Sequence, residues 1–121
     1  LAAALAEEAG AGGAPASLHV LAGRTDLADL ARAVAVAARV VCGDTGVAHL
    51  ATALGTPSVV LFGPVSPAEW GPPATRPRHR ALWAGRPGDP HASRPDPGLL
   101  AIGVDRVLAE LAELSAAAHA A

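Results

Sequence analysis

Apolar and polar positions follow two rhythms along this chain, and the switch between them marks the elements. Leu27, Leu30, Ala31 and Val34 recur at helical spacing after Gly23-Arg24-Thr25-Asp26, a turn in which Thr25 or Asp26 caps the helix that follows. Short apolar runs predict strands at residues 17–21, 39–42 and 58–62, with a fourth at 80–84. The 58–62 run is almost continuously apolar and is therefore expected to be buried on both faces. Between the second and third runs, Asp44-Thr45-Gly46 forms a turn and residues 49–54 a short helix, with His49 on its first turn. Gly55 closes that helix and Pro57 keeps it from continuing. A closing helix is predicted at 102–114, burying Val104, Val107, Leu108, Leu111 and Leu114 and turning Asp105, Arg106, Glu110 and Glu113 outward.

Strand and helix alternate over short connections, which predicts an α/β fold: a Rossmann-like parallel sheet flanked by helices and joined by right-handed crossovers. Residues 1–9 favour helix, and Gly10, Gly12 and Gly13 end it. Opening on Leu1 inside a helical pattern is expected of a piece cut from a longer protein. All of 1–121 reads as one domain, with an irregular Pro/Gly/Trp loop at 63–77, a mobile proline-rich stretch at 85–98 and a fraying alanine tail at 115–121.

Composition narrows the function classes. Apolar residues make up 51% and aromatics only 2%, so the core must be built from close packing of small side chains rather than large rings. All nine cations are arginines, scattered along a chain of net charge −2, which leaves no basic stripe for nucleic acid. No apolar run reaches the ~20 residues of a membrane span. Residues 1–10 carry Glu7 and Glu8 and lack a basic start, unlike a signal peptide. The single Cys42 has no partner for a disulfide and no neighbours at zinc-ligand spacing, which points to a reducing compartment and a packed thiol. His19, His79, His91 and His119 likewise lack metal spacing and read as surface residues, so no metal site is expected.

The chemistry concentrates at the carboxyl ends of the strands, where parallel sheets bind ligands. Residues 23–26, 43–49 and 63–66 place polar or glycine positions there. A strand that turns into a helix aims free N–H groups and the positive end of the helix dipole at one point, so a phosphate or pyrophosphate suits the 43–49 turn. Gly46 lets backbone approach such an anion, and the Thr45 hydroxyl and His49 add donors. Asp44 repels phosphate and instead accepts from sugar hydroxyls or orients the loop. The bland alternatives are Asp44 or Thr45 as a plain helix cap, His49 as a packed or solvated residue, and Trp70 and Trp83 as packing anchors rather than stacking platforms. An apolar run before Asp-Thr-Gly also occurs in aspartic proteases, but those need an all-β setting and paired aspartates, whereas a helix follows here.

Taken with their neighbours these residues carry a resemblance. Leu21-Ala22-Gly23-Arg24-Thr25-Asp26-Leu27, the run from Gly43-Asp44-Thr45-Gly46-Val47-Ala48-His49 to Gly55-Thr56-Pro57, Val60-Leu61-Phe62-Gly63-Pro64 and Trp70-Gly71-Pro72 resemble glycosyltransferase family 9, the family of the lipopolysaccharide heptosyltransferases. The resemblance covers roughly residues 18–73 and weakens through the closing helix.

The resemblance implies a GT-B fold, in which two Rossmann-like domains face each other across a cleft, and identifies this chain with the C-terminal, nucleotide-sugar-binding one. The implied reaction is inverting, metal-independent transfer of a heptose-like sugar from an ADP-sugar to a glycan or lipid-linked acceptor. Asp44 would contact the donor sugar or its loop, and Thr45, Gly46 and His49 would hold the diphosphate. Arg24, Thr25 and Asp26 would lie near the nucleoside, and Gly63 and Pro64 would form a pocket wall. The catalytic base is expected in the protein's own N-terminal acceptor domain, so this chain carries none and is expected to be inactive alone. No cofactor beyond the substrate nucleotide-sugar is implied. The implied setting is bacterial and cytoplasmic, at or away from the inner membrane surface. The alternatives are a non-catalytic nucleotide-sugar-binding module and a fragment of a sugar epimerase of related fold.

Overall fold

The computed structural model describes residues 19–119, and the chain forms two compact units, Leu1–Leu30 and Ala31–Ala121. The helix predicted at 1–9 lies outside the described residues, as do the first two positions of the strand predicted at 17–21. The remaining three, His19, Val20 and Leu21, are not in a strand. Instead Arg24 N–H donates to Leu21 O at 3.0 Å, closing a turn around Gly23, whose φ of 73° lies in the left-handed region that suits glycine.

Helix α1 (Leu27–Val36) is capped by Asp26 rather than Thr25: Asp29 N–H donates to Asp26 Oδ1 at 2.8 Å. From there β1 (Val40–Gly43), α2 (Gly46–Leu54), β2 (Ser58–Leu61), α3 (Pro67–Trp70), β3 (His79–Leu82), α4 (Pro97–Leu100) and α5 (Val104–His119) follow in order. The strands form a parallel sheet in the order β1-β2-β3, with Val40 opposite Ser58 and Ser58 opposite His79. This is the expected open α/β arrangement, a Rossmann-like sheet with helices on its faces. Among the described residues no helix is long and apolar enough to cross a membrane.

The central strand explains the core. Val59 and Val60 are fully buried because neighbouring side chains point to opposite faces of the sheet, and both faces are covered. On one face Val60 and Phe62 meet Ala48 of α2, joined by Cys42 and Trp83. On the other, Val59 and Leu82 meet Leu114 of α5, with Val107 and Leu111 beside it. Gly55 ends α2 in the left-handed conformation, φ 74°, its N–H reaching Ala51 O and Thr52 O, and Thr56 N–H also returns to Ala51 O. The buried Thr56 hydroxyl donates to Val34 O at 2.9 Å, tying α1 to the turn before β2.

Several expectations change at this point. Val104 and Leu108 are exposed, because α5 seats on the sheet through Val107, Leu111 and Leu114, which puts the other two on its flank. Glu110 is not outward but largely covered, paired with Arg106 at 3.0 Å and facing Arg80 of β3 at 3.9 Å. His79 is not a surface residue: it is buried opposite Ser58, with Nδ1 2.9 Å from the serine hydroxyl. Burial, followed by the nearby Arg76 and Arg78 cations, lowers its pKa below the ordinary histidine value. Two short helices, α3 and α4, stand where only irregular chain was predicted, and α5 continues past Ser115 to His119.

Candidate functional site

The parallel register brings the carboxyl ends of β1 and β2 side by side. Asp44 N–H donates to Leu61 O at 3.1 Å, adding one rung to the ladder beyond Gly43 and fixing where the chain leaves the sheet. Thr45 then takes an extended conformation (φ −148°, ψ 174°) at the N-cap of α2, which starts at Gly46, three residues before the position predicted. An N-cap threonine ordinarily accepts an N–H from the first turn. Thr45 makes no such side-chain bond, and its hydroxyl lies 3.4 Å from Gly43 O instead.

The first turn is consequently closed by no side chain. Ala48 N–H donates to Thr45 O at 2.9 Å, the Gly46 and Val47 N–H groups point out along the helix axis, and a Cβ at Gly46 would meet nothing within 4 Å, so the space beside it is open. His49 is exposed and lies four residues beyond Thr45, which puts both on one face of the helix start. Asp44 is half-buried beside them. Burial, and secondly the Asp44 charge, raises the Cys42 thiol above its ordinary pKa, which keeps that sulfur neutral and packed against Val60 and Phe62, as expected.

Gly63 and Pro64 follow directly from β2. Phe62 N–H donates to Leu82 O at 2.8 Å, and the Trp83 indole N–H donates to Gly63 O at 3.1 Å, so the carboxyl ends of β2 and β3 are pinned together. Trp83 is thus the packing anchor of the two tryptophans, while Trp70 is 62% exposed. The chain after β3 folds back over this edge. Gly88 N–H donates to Pro64 O at 2.9 Å, and a Cβ on Gly63 would sit 3.6 Å from Asp96 Cβ and 3.7 Å from Leu99 Cβ.

Asp96 is the residue that organises this cover. Its Oδ1 accepts Leu99 N–H at 3.0 Å, capping α4, with Pro97 at the first helical position. A Cβ on Gly98 would lie 2.8 Å from that same oxygen, and one on Gly88 would collide with Oδ2. The signal was present in Asp96-Pro97-Gly98, a cap residue before proline, inside a stretch whose overall composition reads as mobile.

The structure therefore gathers Asp44, Thr45, Gly46 and His49 on one turn and sets Gly63 and Pro64 beyond the neighbouring strand. Arg24, Thr25 and Asp26 belong to the first compact unit, where Asp26 serves as a cap and all three are exposed. Among the described residues no group of three His, Cys, Asp or Glu side chains is placed to hold a metal ion. A family model described as glycosyltransferase family 9 (heptosyltransferase) matches residues 2–99. No curated protein and no solved structure matches the chain.

Proposed function

The chain belongs to glycosyltransferase family 9, and on that premise we propose that it is the C-terminal, nucleotide-sugar-binding half of a two-domain GT-B glycosyltransferase. The observation that carries this reading is the uncapped start of α2. A threonine in the N-cap position whose hydroxyl does not cap leaves the Gly46 and Val47 N–H groups for a ligand, and its hydroxyl can turn from the long 3.4 Å contact with Gly43 O to join them. In the proposed complex Thr45, Gly46 and His49 hold the donor diphosphate, and Asp44 faces the sugar or braces the loop. Gly63 and Pro64 form part of the pocket wall.

The chemistry follows from where charge develops. As the acceptor oxygen attacks the anomeric carbon, the bond to the donor diphosphate breaks and negative charge accumulates on the departing phosphate. N–H groups already fixed at a helix start stabilise that charge without rearranging, and removing one such donor typically raises a barrier by about 2.7 to 4 kcal/mol. The transfer is inverting, and a base in an N-terminal acceptor domain takes the acceptor proton. The donor is a heptose-like sugar on ADP, and the acceptor a glycan or lipid-linked saccharide of the bacterial envelope.

Calorimetry with ADP, ADP-heptose and UDP- and GDP-sugars tests this reading. The chain is expected to bind the ADP ligands and to transfer no sugar, and Thr45→Ala or His49→Ala is expected to weaken ADP binding by about tenfold, the loss of one charge-assisted hydrogen bond. Absence of any nucleotide binding, or unchanged affinity in both variants, would overturn it.

A further inference from the structure

From Ala31 onward, six of the eight arginines are engaged with the rest of the protein. Arg39 donates to Leu111 O, Arg76 to Thr52 O and Arg78 to Gly55 O, Arg80 and Arg106 face Glu110, and Arg32 also has a partner. Among the described residues, Arg86 and Arg94 have neither a hydrogen bond nor an ion pair. Both line the same cavity, about 470 Å³, under the loop that follows β3. That volume lies within the ~300–1,000 Å³ typical of small-ligand pockets.

The cavity is held open by its own frame. Asp96 fills the space beside Gly88 and Gly98, and Gly88 N–H is fastened to Pro64 O at the carboxyl end of β2. The two carboxylates in the lining are already in use by the backbone: Asp89 Oδ1 accepts His91 N–H at 2.8 Å and Asp96 Oδ1 accepts Leu99 N–H at 3.0 Å. They brace the loop rather than pairing the guanidiniums, and their second oxygens are acceptors for hydroxyl groups. Planar guanidinium donors of +1 charge beside carboxylate acceptors match a ligand that carries both an anion and hydroxyls.

We propose that this cavity is a second anion subsite, in which Arg86 and Arg94 bind the phosphate or carboxylate of a saccharide substrate while Asp89 and Asp96 accept its hydroxyls. The subsite itself rests on the two unpaired guanidiniums. Only its assignment to a transferase substrate rests on the function proposed above.

The test is a titration of the isotope-labelled chain with glucose 1-phosphate, glucuronate and uncharged glucose, followed by amide chemical shifts, with ADP titrated separately. The two anionic sugars are expected to move the amides of residues 86–97, more strongly at low ionic strength, and glucose is not. Stronger binding of glucose 1-phosphate than of glucuronate marks phosphate as the preferred anion, and the reverse marks carboxylate. The double variant R86Q/R94Q is expected to weaken the anionic sugar by about tenfold or more, the loss of charge-assisted hydrogen bonds. Both side chains are exposed, so the remaining spectrum should stay unchanged. No shift at 86–97 with either anionic sugar, an equal response to glucose, or unchanged affinity in the double variant would overturn the subsite. If ADP leaves residues 43–49 unmoved while glucose 1-phosphate moves 86–97, the nucleotide-sugar reading fails and the subsite stands. The opposite pattern removes the subsite alone.

Discussion

Two helices begin at the carboxyl edge of the sheet, and they begin differently. At α4 the Asp96 side chain takes the Leu99 N–H, proline fills the first helical position, and the same aspartate packs against Gly63. At α2 the Thr45 side chain caps nothing, its backbone oxygen takes only the Ala48 N–H, and a Cβ on Gly46 would meet nothing within 4 Å. A helix start whose donors are consumed internally is a structural joint. One whose cap side chain leaves donors over forgoes stability, because an N-cap side-chain bond is typically worth about 1 kcal/mol, and under the function proposed above those donors are kept for a ligand.

The contrast can be broken most severely from beneath. Phe62 is 1% exposed, packs on Ala48 of α2 and directly precedes Gly63, so it supports both helix starts. Phe62→Ala is expected to cost about 3 to 5 kcal/mol in urea unfolding, with both regions lost in one transition. If α4 survives when α2 melts, the two starts do not share a foundation. Next comes Asp96→Ala, expected to cost about 1 kcal/mol, with faster hydrogen exchange at Leu99. An unaltered exchange rate there would show that the cap is idle.

A smaller, graded effect separates the opposite end of the sheet from this edge. His79 has its pKa lowered when folded, while the unfolded chain binds a proton with the ordinary value of about 6.5. The unfolded state therefore holds more protons just below that pH, so stability is complete above it, declines as pH falls toward the lower folded value, and then levels off. Urea midpoints across this range should show the decline, and His79→Asn should flatten it. A slope unchanged by the substitution would assign the effect to other groups. The smallest change in stability belongs to Thr45→Ala, expected to stay within about 0.5 kcal/mol because no cap bond is lost. A loss of 1 kcal/mol or more would make Thr45 an ordinary cap and remove the contrast.

The features legible in the sequence were those decided within a few residues. β1 and β2 were placed to within one residue, and Gly55 ends α2 as expected, because short apolar runs and a left-handed glycine are local facts. What escaped was set across the sheet. Nothing near His79 announces burial, since its partner Ser58 is 21 residues away and becomes adjacent only through strand pairing. Glu110 looks like a solvent-facing helix position until Arg80 arrives from β3. Around the candidate site the 43–49 turn was visible as a motif, whereas Arg86, Arg94 and Asp96 lay in a stretch whose proline content obscured a cap and a fold-back onto Pro64.

The attachment of α5 has a consequence for how the chain is made. Val59 and Leu82 are covered by Leu114, Leu111 and Val107 of α5 together with Ile102, and Arg39, at the entrance to β1, is fastened to Leu111 O and to the Ser115 hydroxyl. During synthesis β1, β2 and β3 leave the ribosome before α5, and the face that α5 covers stays bare until that helix emerges. A nascent chain paused before residue 111 is therefore the form of this protein most in need of a chaperone.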